Sequence, residues 1–327
     1  MGIEFVLWIL LLAVGMVLLI KGADWFVEGA SSIAKSLKIP SLIIGLTLVS
    51  IGTSMPEFSV SLTSSIKGFN DISFGNIIGS NIFNTFAVIG ISAIITPLAV
   101  SKNMKKYDLP ILIFIYTLLT LFAFVITPNI INIYESIIIF VLTFIYTAFL
   151  ILRTKKENKG LMNEVETVDN NKKQRKLWVN ILFVIIGLAC IILGGDLVVD
   201  YASKIAKALN MSDLLIGLTI VAVGTSLPEL VTSLVAAKKG ENDIAIGNAI
   251  GSCIFNVILI LGLCSTIEPT IVAMSSLVDV IFMILSAVLV LIFSLISKKI
   301  TRWQGVVLTL IYVVYIVFII YRNMTIA

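Results

Sequence analysis

The sequence contains no histidine in 327 residues. That excludes imidazole proton relays, histidine-ligated metals and every catalytic triad that uses imidazole. Cysteine is nearly as scarce. Cys190, Cys253 and Cys264 all lie in apolar stretches, with no spacing that would chelate a metal. An odd, buried set of this kind reads as small packing residues and not as disulfides. Charge is thin as well, at 13% of residues against about a quarter in an ordinary soluble domain. The first residues, Met1-Gly2-Ile3-Glu4, lack a basic region, which argues against a cleaved signal peptide.

What the chain has instead is apolar surface: 59% hydrophobic residues and a mean hydropathy of +1.10. This composition predicts an integral membrane protein. Ten apolar runs are long enough to approach or exceed the ~20 residues of a bilayer crossing. They fall at 4–20, 40–66, 72–95, 107–127, 130–152, 177–194, 212–238, 244–267, 272–297 and 303–321, and the first and sixth can run on into the stretches that follow. Trp8, Trp25, Trp178 and Trp303 lie near run ends, where indole favours the membrane interface.

Basic residues orient these spans. With the N-terminus outside, the inner loops hold 19 of the 23 Lys and Arg residues and the outer segments hold Lys67, Lys204, Lys207 and Arg322. The positive-inside rule therefore predicts both termini outside. Because the basic residues are confined to short loops, the net charge of +4 does not point to nucleic acid. The partners expected are the lipid bilayer and small ions; protein partners are not readable. The one long polar segment, 154–176, reads as a solvated cytoplasmic linker.

A single shift of 172 residues, without a gap, overlays the two halves. It maps Asp24 on Asp196, Gly45 on Gly217, Thr47 on Thr219, Glu57 on Glu229, Ser61 on Ser233, Asn84 on Asn256 and Pro97 on Pro269. The expected organisation is a first five-helix repeat over 1–153 with its motif at about 40–95, the linker 154–176, and a second repeat over 177–327 with its motif at about 212–267. Five spans is an odd number, so the second copy enters the membrane inverted. The expected fold is an all-α membrane protein of ten transmembrane helices in two inverted repeats. That is an architecture of secondary transporters, with the site at the midplane between repeats.

The repeated chemistry is Gly52-Thr53-Ser54-Met55-Pro56-Glu57 and Gly224-Thr225-Ser226-Leu227-Pro228-Glu229. A glutamate at membrane depth is costly and by default a functional-site candidate. Pro56 lacks an N–H and clashes with the carbonyl of Gly52, so a kink with freed carbonyls at Gly52 and Thr53 is expected. Thr53 and Glu57, spaced i, i+4, share a face that Ser54 and Ser61 extend. Asn76, Ser80 and Asn84 follow at four-residue steps, and Asn248, Ser252 and Asn256 repeat that stripe. Gly75, Gly79, Gly247 and Gly251 interleave as packing positions. Asp24, Glu28, Asp196 and Asp200 read as span-end residues with a capping or interfacial role. The donor set is all hard oxygen, which fits calcium or sodium and gives no purchase to zinc or copper.

These paired motifs, with the following GNIIGSNIFN (residues 75–84) and GNAIGSCIFN (residues 247–256), resemble the two alpha repeats of the cation/calcium exchanger superfamily, most closely its prokaryotic sodium/calcium exchangers. The resemblance implies an antiporter rather than an enzyme, with no cofactor beyond calcium and sodium as transported ions. It implies Glu57 and Glu229 as central ligands, with the carbonyls of Thr53 and Thr225 completing a calcium shell. Ser54, Ser80, Ser226 and Ser252, with the carbonyls of Ser50 and Ala222, would serve flanking sodium sites, and Asn84 and Asn256 would line the middle. It implies three sodium ions per calcium across the cell membrane. Asn256 stands where several relatives have aspartate, which disfavours potassium co-transport, and the short linker leaves no room for large regulatory domains. Proton/calcium antiport on the same scaffold is the alternative. A passive cation channel is more distant, and an intramembrane protease reading of Gly194-Gly195-Asp196 more distant still.

Overall fold

The apolar runs and their proline and glycine punctuation lead to a bundle of helices. A computed structural model describes residues 3–37, 39–68, 70–162, 176–209 and 222–326. Its helices are α1 (Ile3–Leu37), α2 (Ser41–Thr53), α3 (Met55–Ile66), α4 (Ser73–Ile95), α5 (Met104–Ile126), α6 (Ile133–Met162), α7 (Leu177–Ala208), α8 (Leu227–Lys238), α9 (Asn242–Ile267), α10 (Ser276–Ile296) and α11 (Arg302–Ile326). Among the described residues, eight helices are long and apolar enough to cross a membrane, and α2 with α3 forms a ninth, broken span bent by 50°. Part of the run expected at 212–238, with Gly217 and Thr219, lies outside the described residues, which resume at the short turn Ala222–Gly224 before α8.

Two expectations are corrected in detail. The linker expected to begin at 154 begins later, because α6 continues to Met162; Lys155, Lys156, Glu157 and Lys159 are good helix formers and extend it into the polar region. Residues 163–175 lie outside the described residues. The first and sixth runs do run on, into helices of 35 and 32 residues. Asp24, Glu28, Asp196 and Asp200 therefore lie within helices and not at their ends.

α1 and α7 pack antiparallel along glycines. A Cβ placed on Gly22 would stand 2.8 Å from the Gly187 carbonyl oxygen, and one on Gly15 would stand 3.0 Å from that of Gly194. The contacts are reciprocal under the shift, since 15 + 172 = 187 and 22 + 172 = 194. This pair is peripheral: only 17% of the most apolar stretch of α1 is buried, against 83% in α4 and 78% in α9. α4 and α9 are the centre, and the functional motif sits on them and on the broken helices.

The breaks fall at Ser54 (φ −81°, ψ 10°) and Ser226 (φ −94°, ψ 8°). Pro56 and Pro228 open α3 and α8 from their first turns, where a missing N–H costs nothing. α9 lies on α2 through Gly251, whose Cβ would stand 2.7 Å from Ser50 Oγ and 2.8 Å from the Leu46 carbonyl oxygen. Within α4 and α9 the winding loosens into π turns, Phe83–Val88 and Asn256–Leu261. These hold Asn84 and Asn256, and π turns are common at functional sites. Two-residue ribbons, Leu98–Ala99 with Lys299–Ile300 and Ile130–Ile131 with Thr270–Ile271, tie the halves together at the helix ends.

Gly251→Val should force the α2 and α9 backbones apart, at a cost of about 1–3 kcal/mol or more. A clear fall in the melting temperature of the detergent-solubilised protein is expected, and an unchanged midpoint would contradict the close approach.

Candidate ion site

Ser54 and Ser226 occupy the helix breaks, and each hydroxyl crosses to the glutamate of the other half. Ser54 Oγ donates to Glu229 Oε1 at 2.8 Å, and Ser226 Oγ donates to Glu57 Oε1 at 2.7 Å. Since 54 + 172 = 226 and 57 + 172 = 229, this is one contact made twice. Ser80 and Ser252 approach the same two oxygens, each at 3.4 Å, and Ser80 Oγ lies 3.1 Å from Ser226 Oγ. Ser252 also donates to the Ser50 carbonyl at 3.3 Å, while the Ser50 hydroxyl is held by the Leu46 carbonyl.

The amides of the stripe are brackets. Asn76 Nδ2 donates to Ser61 Oγ at 3.0 Å and to the Glu57 carbonyl at 3.3 Å; Asn248 Nδ2 does the same to Ser233 Oγ and the Glu229 carbonyl at 2.9 and 3.2 Å. Thr53 Oγ1 donates to Asn248 Oδ1 at 2.9 Å, which fixes the hydroxyl and leaves its lone pairs and the Thr53 carbonyl as oxygen donors. Ala222 opens the turn before the second break.

Glu57 and Glu229 are both 0% exposed. One oxygen of each is held as described; Oε2 of each has no partner among the described residues. Thr225 Oγ1, Asn256 Oδ1 and both amide atoms of Asn84 share that state. Leaving a buried polar atom unpartnered costs about 1–3 kcal/mol, and more when it is charged. These five orphaned oxygens, on two carboxylates, two amides and a hydroxyl, are donors that a cation could draw on. The π turn of Asn84 packs against α8, which bears Glu229, and the π turn of Asn256 packs against α3, which bears Glu57. No group of three or more His, Cys, Asp or Glu side chains occurs among the described residues. A cation here must therefore draw on hydroxyl, amide and backbone oxygens as well as carboxylates, a set that suits the 6–8 oxygen shell of calcium.

Outside the crossed contacts the two halves differ. Lys239 Nζ lies 2.7 Å from Asp24 Oδ1 and donates to the Asp24 carbonyl at 2.8 Å, tying α1 to the end of α8. Lys35 Nζ lies 3.1 Å from Glu241 Oε1, which also accepts from Ser31. The shift relates Lys239 to Lys67 and Asp24 to Asp196, and these two form no ion pair among the described residues. Asp196 and Asp200 instead line a cavity of about 580 Å³ that reaches Pro56, Thr225 and Pro228.

Three groups bypassed in the sequence are prominent here. Asp108 and Arg153 form a buried ion pair at 2.9 Å, so Arg153 is not a free loop cation. Arg322 pairs with Asp279 at 2.9 Å. Asn81 is wholly buried and bonded to Asn256 at 3.0 Å. The repeat search could not flag Asn81, because Cys253 stands opposite it.

The profile of the family described as "Sodium/calcium exchanger protein" matches residues 7–152 and 179–321. A putative antiporter, CaxA of Alkalimonas amylolytica, is 37% identical over 92% of this chain and 95% of its own. The sodium/calcium exchanger MaX1 of Methanosarcina acetivorans is 35% identical over 95% of this chain and 98% of its own. The solved structure of the sodium-calcium exchanger NCX_Mj, soaked with 10 mM Na+ and zero Ca2+, superposes with a TM-score of 0.82 at 33% identity, covering 96% of this chain and 99% of that one.

The crossed serine–glutamate bonds are open to a double-mutant cycle. Ser226→Ala should destabilise the protein by about 1.5–3 kcal/mol, the usual contribution of a hydrogen bond to a charged group. Adding Glu57→Gln should remove most of that penalty, and strictly additive melting shifts would contradict the contact.

Proposed function

The chain belongs to the sodium/calcium exchanger protein family, and from that premise we propose that it exchanges sodium for calcium across the cell membrane by alternating access. It is a multi-pass membrane transporter and not an enzyme. The observation that carries the sodium/calcium reading is the pair of fully buried glutamates, each with one oxygen held across the halves and the other without a partner among the described residues. The same few oxygens serve either ion, so calcium and sodium exclude one another, and that exclusion makes the flux an exchange. Ligands in this reading are Glu57, Glu229, Ser54, Ser226, Ser80, Ser252, Asn84 and Asn256, with backbone oxygens of Thr53, Thr225, Ser50 and Ala222.

Halves 1–153 and 177–327 act as inverted copies, and the two stretches matched by the family profile start 172 residues apart (179 − 7). With both termini outside, the Asp24–Lys239 and Lys35–Glu241 pairs close the cytoplasmic approach and the Asp196 cavity opens outward. In the opposite state the symmetry-related pair, Asp196 with Lys67, replaces Asp24 with Lys239. Three sodium ions per calcium would move one net charge. A tenfold sodium gradient contributes ~1.4 kcal/mol per ion and 100 mV adds ~2.3 kcal/mol, together ~6.5 kcal/mol. That is enough to hold a calcium ratio of about four and a half decades, at ~1.4 kcal/mol per decade. The direction served is calcium extrusion.

In proteoliposomes, an outward sodium gradient should drive calcium uptake, and Glu57→Gln or Glu229→Gln should abolish it. Uptake that follows a pH gradient and ignores sodium would establish proton/calcium exchange instead. Disulfides between Asp24→Cys and Lys239→Cys, and between Asp196→Cys and Lys67→Cys, should form under opposite gradients, each arresting flux. Simultaneous formation with flux retained would contradict the exchange of pairs.

A further inference from the structure

Asn81 is a buried amide on α4 that the repeat does not duplicate, since the shift of 172 sets Cys253 opposite it. Its Nδ2 donates to the Cys253 carbonyl at 3.1 Å, with Met283 Sδ at 3.9 Å, and its Oδ1 accepts from Asn256 Nδ2 at 3.0 Å. A backbone carbonyl only accepts, so the Asn81 amide has one admissible orientation. Its oxygen then faces Asn256, and Asn256 must answer with nitrogen. Asn256 Oδ1 is thereby turned away from Asn81. It is buried, without a partner among the described residues, on the π turn that packs against the Glu57 helix. A flipped Asn256 would set oxygen against oxygen and strand a buried donor.

The other half lacks this device. Cys253 offers a thiol where an amide would be needed, and spends it on the Asn81 carbonyl at 3.6 Å. Both amide atoms of Asn84 are buried without a partner among the described residues. One half therefore has an amide of fixed polarity and the other an amide free to turn.

We propose that Asn81 is a positioning residue that fixes the Asn256 amide with its oxygen toward the transported ion. Asn256 is then a neutral ligand of permanent polarity, while Asn84 adapts its end to whichever ion is bound. This rests on Asn256 being a ligand, as proposed above. Residues that orient a metal ligand without touching the metal typically contribute about 10–100-fold to metal affinity.

The test uses the full chain in proteoliposomes, with calcium KM and kcat read in two backgrounds. In the wild-type background, Asn81→Ala should raise the calcium KM by about 10-fold or more, with kcat changed much less. In the Asn256→Asp background the ligand has two equivalent acceptor oxygens and needs no orienting. There Asn81→Ala should leave KM unchanged or lower it, because the Asn81 oxygen opposes the carboxylate. An equal rise in both backgrounds would assign Asn81 a merely structural role and overturn the proposal. If Asn81→Ala does not fold, Asn81→Ser carries the same comparison. Asn256→Ala separates the two readings: an unchanged KM removes Asn256 from the site and overturns the positioning role with it, while the Glu57 and Glu229 flux test stands on its own.

Discussion

Two carboxylates lie at membrane depth, and each is held by a serine that belongs to the other half of the chain. Much of the architecture serves that constraint. A buried carboxylate stripped of its partner costs several kcal/mol, so neither half can leave the other without exposing its own glutamate to the loss. The serines reach across because both helices break at the serine itself, with the proline beginning the new helix. The breaks can meet because α9 approaches α2 through a glycine. The second oxygen of each glutamate is buried without a partner among the described residues.

Departures from symmetry carry as much meaning as symmetry. The crossed serine–glutamate contacts treat the two halves alike. The ion pairs do not treat them alike: Asp24 is tied to Lys239, and its counterpart Asp196 lines a cavity. A pseudo-two-fold protein in one state must break its symmetry somewhere, and here Asp24 on α1 and Asp196 on α7 differ although the glycine contacts between those helices are reciprocal. The Asn81–Cys253 mismatch is a different kind of departure, built into the covalent chain and present in every conformation.

Much of this was legible in the residues. Hydropathy marked the spans that the described residues show, the shift of 172 marked the duplicated contacts, and a glutamate after a proline in an apolar run marked the two buried carboxylates. The crossed pairing was not legible, because periodicity places Ser54 near Glu57 on its own helix and says nothing about which glutamate its hydroxyl selects. The break expected from Pro56, with freed carbonyls at Gly52 and Thr53, falls at Ser54, since proline is accommodated in the first turn of the helix that follows. Asp24 and Asp196 read as span ends because apolar runs stop near them; the helices continue, carried by packing against each other. Asn81 escaped because a search for repeats discards what is not repeated. The Asp108–Arg153 pair escaped because a contact between separate helices leaves no mark on local pattern.

The central claim is that one set of oxygens binds calcium or sodium and never both. The most direct measurement is equilibrium calcium binding to the purified protein across a series of sodium concentrations at constant ionic strength. The account predicts that sodium displaces calcium completely, with a dependence steeper than first order. Calcium binding that is indifferent to sodium, or only partly displaced at saturation, would contradict it.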